Sequence, residues 1–292
     1  MESYHFRVCG INLNIQASRP LVTGGDMTPF LCENGPADLT IFCRAVDGVP
    51  APGGTPGLRD AEHLVCSHGA AVHRCRTKRL DDPPYARLDY NCAAPGRAEL
   101  AVRAEDWRWC TDHMRLWSTV YLPQLLLPYR TLVFHAAYIG WQGRGILFTA
   151  PSGTGKSTQA ELWRALRGSE VLNGDKAGVS LRESPMAHSM PFSGTSGICR
   201  NVSLPLRAIV VLSQAPENTV RRLGPSAAVS ALCANLFARS CADGGVPAVP
   251  ACLLGAALGT VVYLAALQAQ GILQVYKKTR KGQAADGAFV DA

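Results

Sequence analysis

The stretch "ILFTAPSGTGKSTQAELW", Ile146 to Trp163, constrains this chain more than any other. A short apolar run enters a Gly/Ser/Thr turn, meets one lysine and leaves with helical spacing. Gly153 and Gly155 let the backbone turn so that successive N–H groups line one concavity. A helix starting at the same place adds its positive end. Lys156 is a mobile point charge at the helix entry, and Ser157 offers a hydroxyl to a hard cation. Strand before and helix after is the context a phosphate loop requires, although Ala150 stands where glycine is commoner. The alternative is a Gly-rich turn that happens to precede a helix. The stretch therefore implies a nucleotide phosphate site formed by Ser152, Gly153, Thr154, Gly155, Lys156, Ser157 and Thr158, with ATP and Mg²⁺ as ligands.

A second element lies 19 residues past Lys156, in "VLNGDKAGV". Asp175 closes a short strand candidate there. A carboxylate at that place can hold Mg²⁺ or take a proton from an attacking hydroxyl. The plain alternative is an ordinary Asp–Lys turn.

Around these motifs the chain changes character. Residues 1–110 read as an antiparallel β-rich module, from runs such as "HFRVCGINLNIQA", "DLTIFCRAV", "ARLDYNC" and "AELAVRAE". The Pro/Gly-rich stretch Asp47 to Asp60 reads as a loop. Residues 111–130 read as a linking helix, capped by Thr111 or Asp112 and presenting Met114, Trp117, Val120 and Tyr121. Pro123 kinks or ends it. The aromatic cluster Trp107, Trp109, Trp117 and Tyr121 is expected to pack between the module and the domain after it. Residues 131–245 alternate strand and helix as an ATP-binding domain. Its strands include "TLVFHAAYI", "RGILFTA", "EVLNGD", "AGVSL" and "LRAIVVLSQ". Its helices are "KSTQAELWRALRG", closed by Gly168 with Leu162 and Leu166 on one face, and one capped by Ser226. The fold class is thus α/β, or α+β.

These residues resemble a known family. The run "FHAAYIGWQGRGILFTAPSGTGKSTQAELW" with "VLNGDKAGV" is similar to the catalytic core of HPr kinase/phosphorylase, which shares its nucleotide-binding fold with phosphoenolpyruvate carboxykinase. The similarity spans about Thr131 to Ser240 and extends to HPr-kinase-related proteins, some of which phosphorylate ribosomally made peptides. It implies a P-loop kinase domain of that type behind the N-terminal module. By the same resemblance, Lys156 meets the phosphates, Ser157 and Asp175 are metal ligands, and Asp175, Lys156 and His135 are catalytic. His135 matches a histidine near the reacting phosphate; its alternative is a half-buried strand histidine. The family carries two adjacent acids where this chain has Asp175 between Gly174 and Lys176. It also carries a later Glu, yet "PFSGTSGICRNVSLPL" contains no acid. Lys176 and Arg200 are candidates for compensating positive charge. The implied activity is ATP-dependent phosphorylation of a serine hydroxyl on a protein or peptide. The alternatives are a nucleotide-binding module with little catalysis and a small-molecule kinase.

Composition narrows the partners. With 29 basic and 22 acidic residues the chain carries +7. That balance suits anionic ligands, but no Lys/Arg run is dense enough for nucleic acid. Eleven cysteines without regular spacing are a poor disulfide framework. The N-terminal residues lack a basic-then-apolar signal pattern, so reduced thiols in the cytoplasm are the expectation. "CSHGAAVHRC" offers Cys66, His68, His73 and Cys75 to zinc at spacings foreign to zinc fingers; a hairpin carrying incidental residues is the alternative. Residues 246–292 read as an apolar tail with a basic end. Its 251–267 core reaches the lower limit of a membrane span, against a buried helix or a tail altered by a change of reading frame as alternatives. A non-spanning tail, dispensable for nucleotide binding, is the expectation. The sequence leaves a homo-oligomer open.

Overall fold

The computed structural model describes residues 1–53, 55–59, 62–79, 82–215, 217–237 and 272–278. It is a mixed α+β structure of two large sheets, mostly strands. The chain divides into two units, with Met1–Pro128 in the first, and Tyr129–Phe237 and the strand Ile272–Lys278 in the second.

The first unit is an eight-stranded sheet. Its strands are β1 (Glu2–Val8), β2 (Ile11–Ala17), β3 (Leu39–Val46), β4 (Thr55–Arg59), β5 (His63–His68), β6 (Ala71–Arg76), β7 (Ala86–Asn91) and β8 (Arg97–Arg103), in the order β1-β2-β3-β8-β7-β6-β5-β4. Strand β2 shows why it forms. Ile11, Leu13, Ile15 and Ala17 are buried, while Asn12, Asn14 and Gln16 between them are partly exposed, the period-2 pattern of a half-buried strand. The expected antiparallel module is in fact mixed, since β2–β3 and β3–β8 are parallel. The long connection from Ser18 to Asp38, with its 3₁₀ turn at Gly25–Phe30, carries the chain back to start β3 in the same direction as β2.

The expected loop at Asp47 to Asp60 contains β4, which pairs with β5 and slips register between Pro56 and Leu58. An edge strand tolerates proline because only one of its sides needs donors. Just after a short helix, α1 (Trp107–Cys110), the expected linking helix is broken into two short helices, α2 (Leu116–Thr119) and α3 (Leu122–Leu125), and a 3₁₀ turn at Leu127–Tyr129. Asp112 fastens the turn ahead of α2, accepting from the N–H groups of Met114 and Arg115 at 2.9 and 2.7 Å, while α2 itself starts after Arg115 with no side-chain cap among the described residues. Tyr121 then breaks the run by taking φ +47°, and Pro123 sits in the first turn of α3, where a missing N–H costs nothing. Met114 is exposed, but Trp117 and Val120 are buried. The aromatic residues find their partners inside this unit: Trp117 lies edge-on to Phe6 at 4.9 Å, and Tyr121 stacks under the buried Arg74 guanidinium at 3.9 Å.

The Cys66–Cys75 stretch is the β5–β6 hairpin, turning at Gly69. His73 Nδ1 lies 2.7 Å from Asp89 Oδ1. Among the described residues no group of three or more His, Cys, Asp or Glu could hold a metal ion. No disulfide joins the nine described cysteines, and burial pushes the thiols of Cys43 and Cys110 up to about 12.

The second unit comprises β9 (Thr131–Trp141), β10 (Arg144–Thr149), α4 (Lys156–Arg167), β11 (Glu170–Asn173), β12 (Lys176–Leu181), β13 (Pro185–Ser189), β14 (Ser203–Ala215), β15 (Thr219–Arg222), α5 (Pro225–Asn235) and β16 (Ile272–Lys278). The pairings β10–β9–β12–β13–β14–β10 close on themselves. Strand β14 makes this closure because it is long: Ser203 to Pro205 pair with β13, and Leu206 to Val211 with β10. β10 and β14 are parallel, so the chain leaves β10 at the end where β14 also points. Helix α4 packs there over Ala137, Ile139, Phe148, Val171 and Val210. Trp163 of α4 meets Trp141 edge-on at 5.3 Å.

Helix α5 starts at Pro225 after Gly224, one residue before the Ser226 cap read from the sequence. Within the expected tail, β16 is a strand between β14 and β15. The apolar 251–267 segment lies outside the described residues. Among the described residues no helix is long and apolar enough to cross a membrane.

Candidate functional site

The loop from Ala150 to Gly155 joins the end of β10 to α4. Gly153 has φ +77° and Gly155 φ +102°, the left-handed conformations that only glycine adopts cheaply. Thr154 fastens the turn, its hydroxyl donating to the Pro151 carbonyl at 2.9 Å. The first intrahelical bond of α4 runs from Gln159 N–H to the Gly155 carbonyl, so the N–H groups of Lys156, Ser157 and Thr158 precede it. Among the described residues no side chain caps this end. Ser152, Gly153, Ser157 and Thr158 are exposed. Lys156 is buried, and its Nζ donates to the carbonyls of Ala150 at 2.9 Å and Pro151 at 3.2 Å. Burial lowers its proton affinity, and the charge of Asp175 works against that fall. The seven loop residues read from the sequence are thus contiguous around the start of α4, with Asp175 in electrostatic reach of the lysine.

Asp175 is held by a turn built from Asn173. The buried Asn173 side chain accepts from the N–H groups of Asp175 at 2.9 Å and Lys176 at 3.0 Å, and donates to the Met190 carbonyl at 2.7 Å. A short polar side chain bonding its own backbone two residues on is an Asx turn. "NGD" is a turn signature of that kind, so Asn173 was legible in the sequence, although the reading there stopped at the acid. Gly194 closes the other side. It has φ +55°, and a Cβ there would lie 2.8 Å from both Cβ and Cγ of Asp175.

The carboxylate has two partners. His135 on β9 stands in register with Lys176 on β12. Its Nδ1 lies 3.2 Å from Asp175 Oδ1 and 3.1 Å from the Asp175 carbonyl. Lys176 Nζ donates to Asp175 Oδ2 at 2.5 Å. Burial raises the carboxyl, but the hydrogen bond from His135 and the charge and hydrogen bond of Lys176 outweigh it and leave Asp175 below the usual carboxylate range. Arg200 donates its backbone N–H to the Leu172 carbonyl at 3.1 Å, but its guanidinium turns away to pair with Glu170 at the opposite end of β11. Two residues that sequence reasoning did not single out complete the setting. The Lys176 ammonium lies over the rings of Phe192 at 4.5 Å and Phe237 at 4.4 Å. Phe192 precedes β14 and Phe237 follows α5, so no local motif could have joined them.

Chemically, the arrangement sets an uncapped helix start and a buried lysine near an ionised, fixed carboxylate. A family model described as "SynChlorMet cassette protein ScmC" matches residues 105–242. A search of curated proteins gives no match. Among solved structures, the Hpr(Ser) kinase/phosphatase from Coxiella burnetii is similar at 12% identity over 31% of this chain and 72% of that chain, with a TM-score of 0.24, a weak structural likeness.

Proposed function

We propose that the chain is an ATP-dependent phosphotransferase, built on a P-loop domain of the HPr kinase type and acting on a serine hydroxyl of a protein or peptide. The observation that supports this most is the single setting of glycine loop, Lys156 and Asp175, with His135 against the carboxylate. In this reading the loop N–H groups and the start of α4 receive the phosphates. Lys156 exchanges the Ala150 and Pro151 carbonyls for phosphate oxygens. Asp175 orients the acceptor hydroxyl and receives its proton, and His135 keeps the carboxylate turned. Positioning and charge neutralisation are what such a transfer needs.

The donor set suits Mg²⁺. The Ser157 hydroxyl and the Asp175 carboxylate are hard oxygen groups, and among the described residues no carboxylate cage surrounds them. That is how Mg²⁺ is held, with few protein ligands beside phosphates and water. When bound, the ion supplies neutralisation of phosphate charge.

A second reading, nucleotide binding without transfer, is favoured by one observation: both oxygens of Asp175 already have partners. One experiment tests both. Mg·ATP should raise the melting temperature, and Lys156→Ala should abolish most of the shift. Asp175→Asn should keep ATP binding and lose turnover by a factor on the order of 10²–10⁴. An unchanged shift in Lys156→Ala would put the nucleotide elsewhere. Binding that persists without turnover in the wild type on any serine peptide would leave the second reading standing.

A further inference from the structure

Lys176 is a cation built into the site. Its ammonium is 2.5 Å from Asp175 Oδ2. The pair is largely out of solvent, with side-chain exposures of 12% for Lys176 and 17% for Asp175. Two phenyl faces hold the ammonium from other directions, Phe192 at 4.5 Å and Phe237 at 4.4 Å. Such contacts strengthen as water is removed from around the cation. The backbone fixes the pair as well, because Asn173 Oδ1 accepts from both N–H groups. Phe192 and Phe237 themselves meet at 6.0 Å. A solvated surface lysine needs none of this. A flexible four-carbon stem is held here by a slot whose walls come from two distant parts of the sequence.

The carboxylate is affected directly. Oδ1 faces His135 and Oδ2 faces Lys176. A divalent cation reaching Asp175 has to displace the ammonium or share an oxygen with it, and like charges at that separation repel strongly. We propose that Lys176 is the resident counter-charge of Asp175, occupying the carboxylate in place of a divalent cation. The site then holds Mg²⁺ through Ser157, phosphates and water, and Asp175 is kept for the acceptor hydroxyl. This rests on the proposed function and narrows it, taking Asp175 out of the Mg²⁺ donor set named there and leaving Ser157.

The test is calorimetry of ATP binding with and without Mg²⁺, on the full chain. Lys176→Met keeps an apolar stem in the phenyl slot and frees the carboxylate. The expected result is that Mg²⁺ strengthens ATP binding at least tenfold more in this variant than in the wild type, since deleting one member of a buried charge pair changes coupling by roughly that order. Lys176→Gln should show the same gain, which covers a Met variant that fails to fold. Asp175→Asn combined with Lys176→Met should lose the gain, which a lysine that only fills space would not produce. ATP binding with unchanged Mg²⁺ dependence in both Lys176 variants overturns the counter-charge assignment alone. Absence of ATP binding in the wild type overturns the nucleotide reading and this inference together.

Discussion

Asn173, Asp175 and Lys176 show how much a few residues can settle. Asn173 shapes the turn, Asp175 takes its charge state from its neighbours, and Lys176 takes its place from two aromatic rings. The same unit contains a buried group of the opposite kind. His188 on β13 is bracketed by Ser180 on β12, 2.8 Å from Nε2, and Ser203 on β14, 2.7 Å from Nδ1. Burial, helped by the charge of Arg182, pushes its imidazole from 6.5 down to about 4. The sign of the consequence is fixed by linkage. Below about pH 6.5 the unfolded chain takes up a proton that the folded chain refuses until about pH 4, so stability present in full above 6.5 is lost as pH falls through that window. The loss should be about 2–3 kcal/mol by about pH 4.5. Urea unfolding at about pH 7.5 and about pH 4.5, either side of most of that window and read from the transition of the second unit alone, checks it. His188→Gln should narrow the gap between the two pH values, and an equal gap in wild type and variant would remove His188 as the cause.

At the level of elements, β16 is the piece that matters. It runs parallel to β14 along Ile209–Ala215 and antiparallel to β15 along Thr219–Arg222. Without it, β14 and β15 each present an unpaired row of backbone donors and acceptors. The sequence-based expectation that a chain ending at Gly245 still binds ATP is therefore revised. That truncation should lose cooperative unfolding and turn up in the insoluble fraction, because β14 also pairs with β10, which leads into the glycine loop. A soluble chain ending at Gly245 with an unaltered ATP-dependent melting shift would show that β14 holds without its neighbour. Helix α4, by contrast, was legible at its ends: the glycine entry and the Gly168 exit at φ +64° follow from local sequence. Its packing face was not, because Ala160 and Trp163 meet the sheet while Leu166, paired with Leu162 by helical spacing, is exposed.

For the whole molecule, two units each with their own sheet make a single two-state transition unsuitable as a description. Thermal unfolding is expected to show two transitions. The tryptophans divide between the units, with Trp107, Trp109 and Trp117 in the first and Trp141 and Trp163 in the second. With the first three replaced by phenylalanine, fluorescence reports on the second unit. Mg·ATP should raise the midpoint of that signal by several degrees at saturating ligand. A midpoint unmoved by ligand, with binding still seen by calorimetry, would place the nucleotide in the first unit.

By itself the sequence determined whatever depends on neighbours along the chain. The left-handed glycines of the loop, the start of α4, the period-2 burial of β2 and the apolar centre of β14 are all local, because backbone sterics and side-chain periodicity act over a few residues. The tertiary structure decided what depends on chain closure. It ran β2, β3 and β8 parallel, made a strand of Thr55–Arg59, set β16 between β14 and β15, and brought Phe192 and Phe237 to Lys176. Strand pairing and burial join residues far apart in sequence, and no local pattern records which distant edge or ring completes a hydrogen-bond row or a charge.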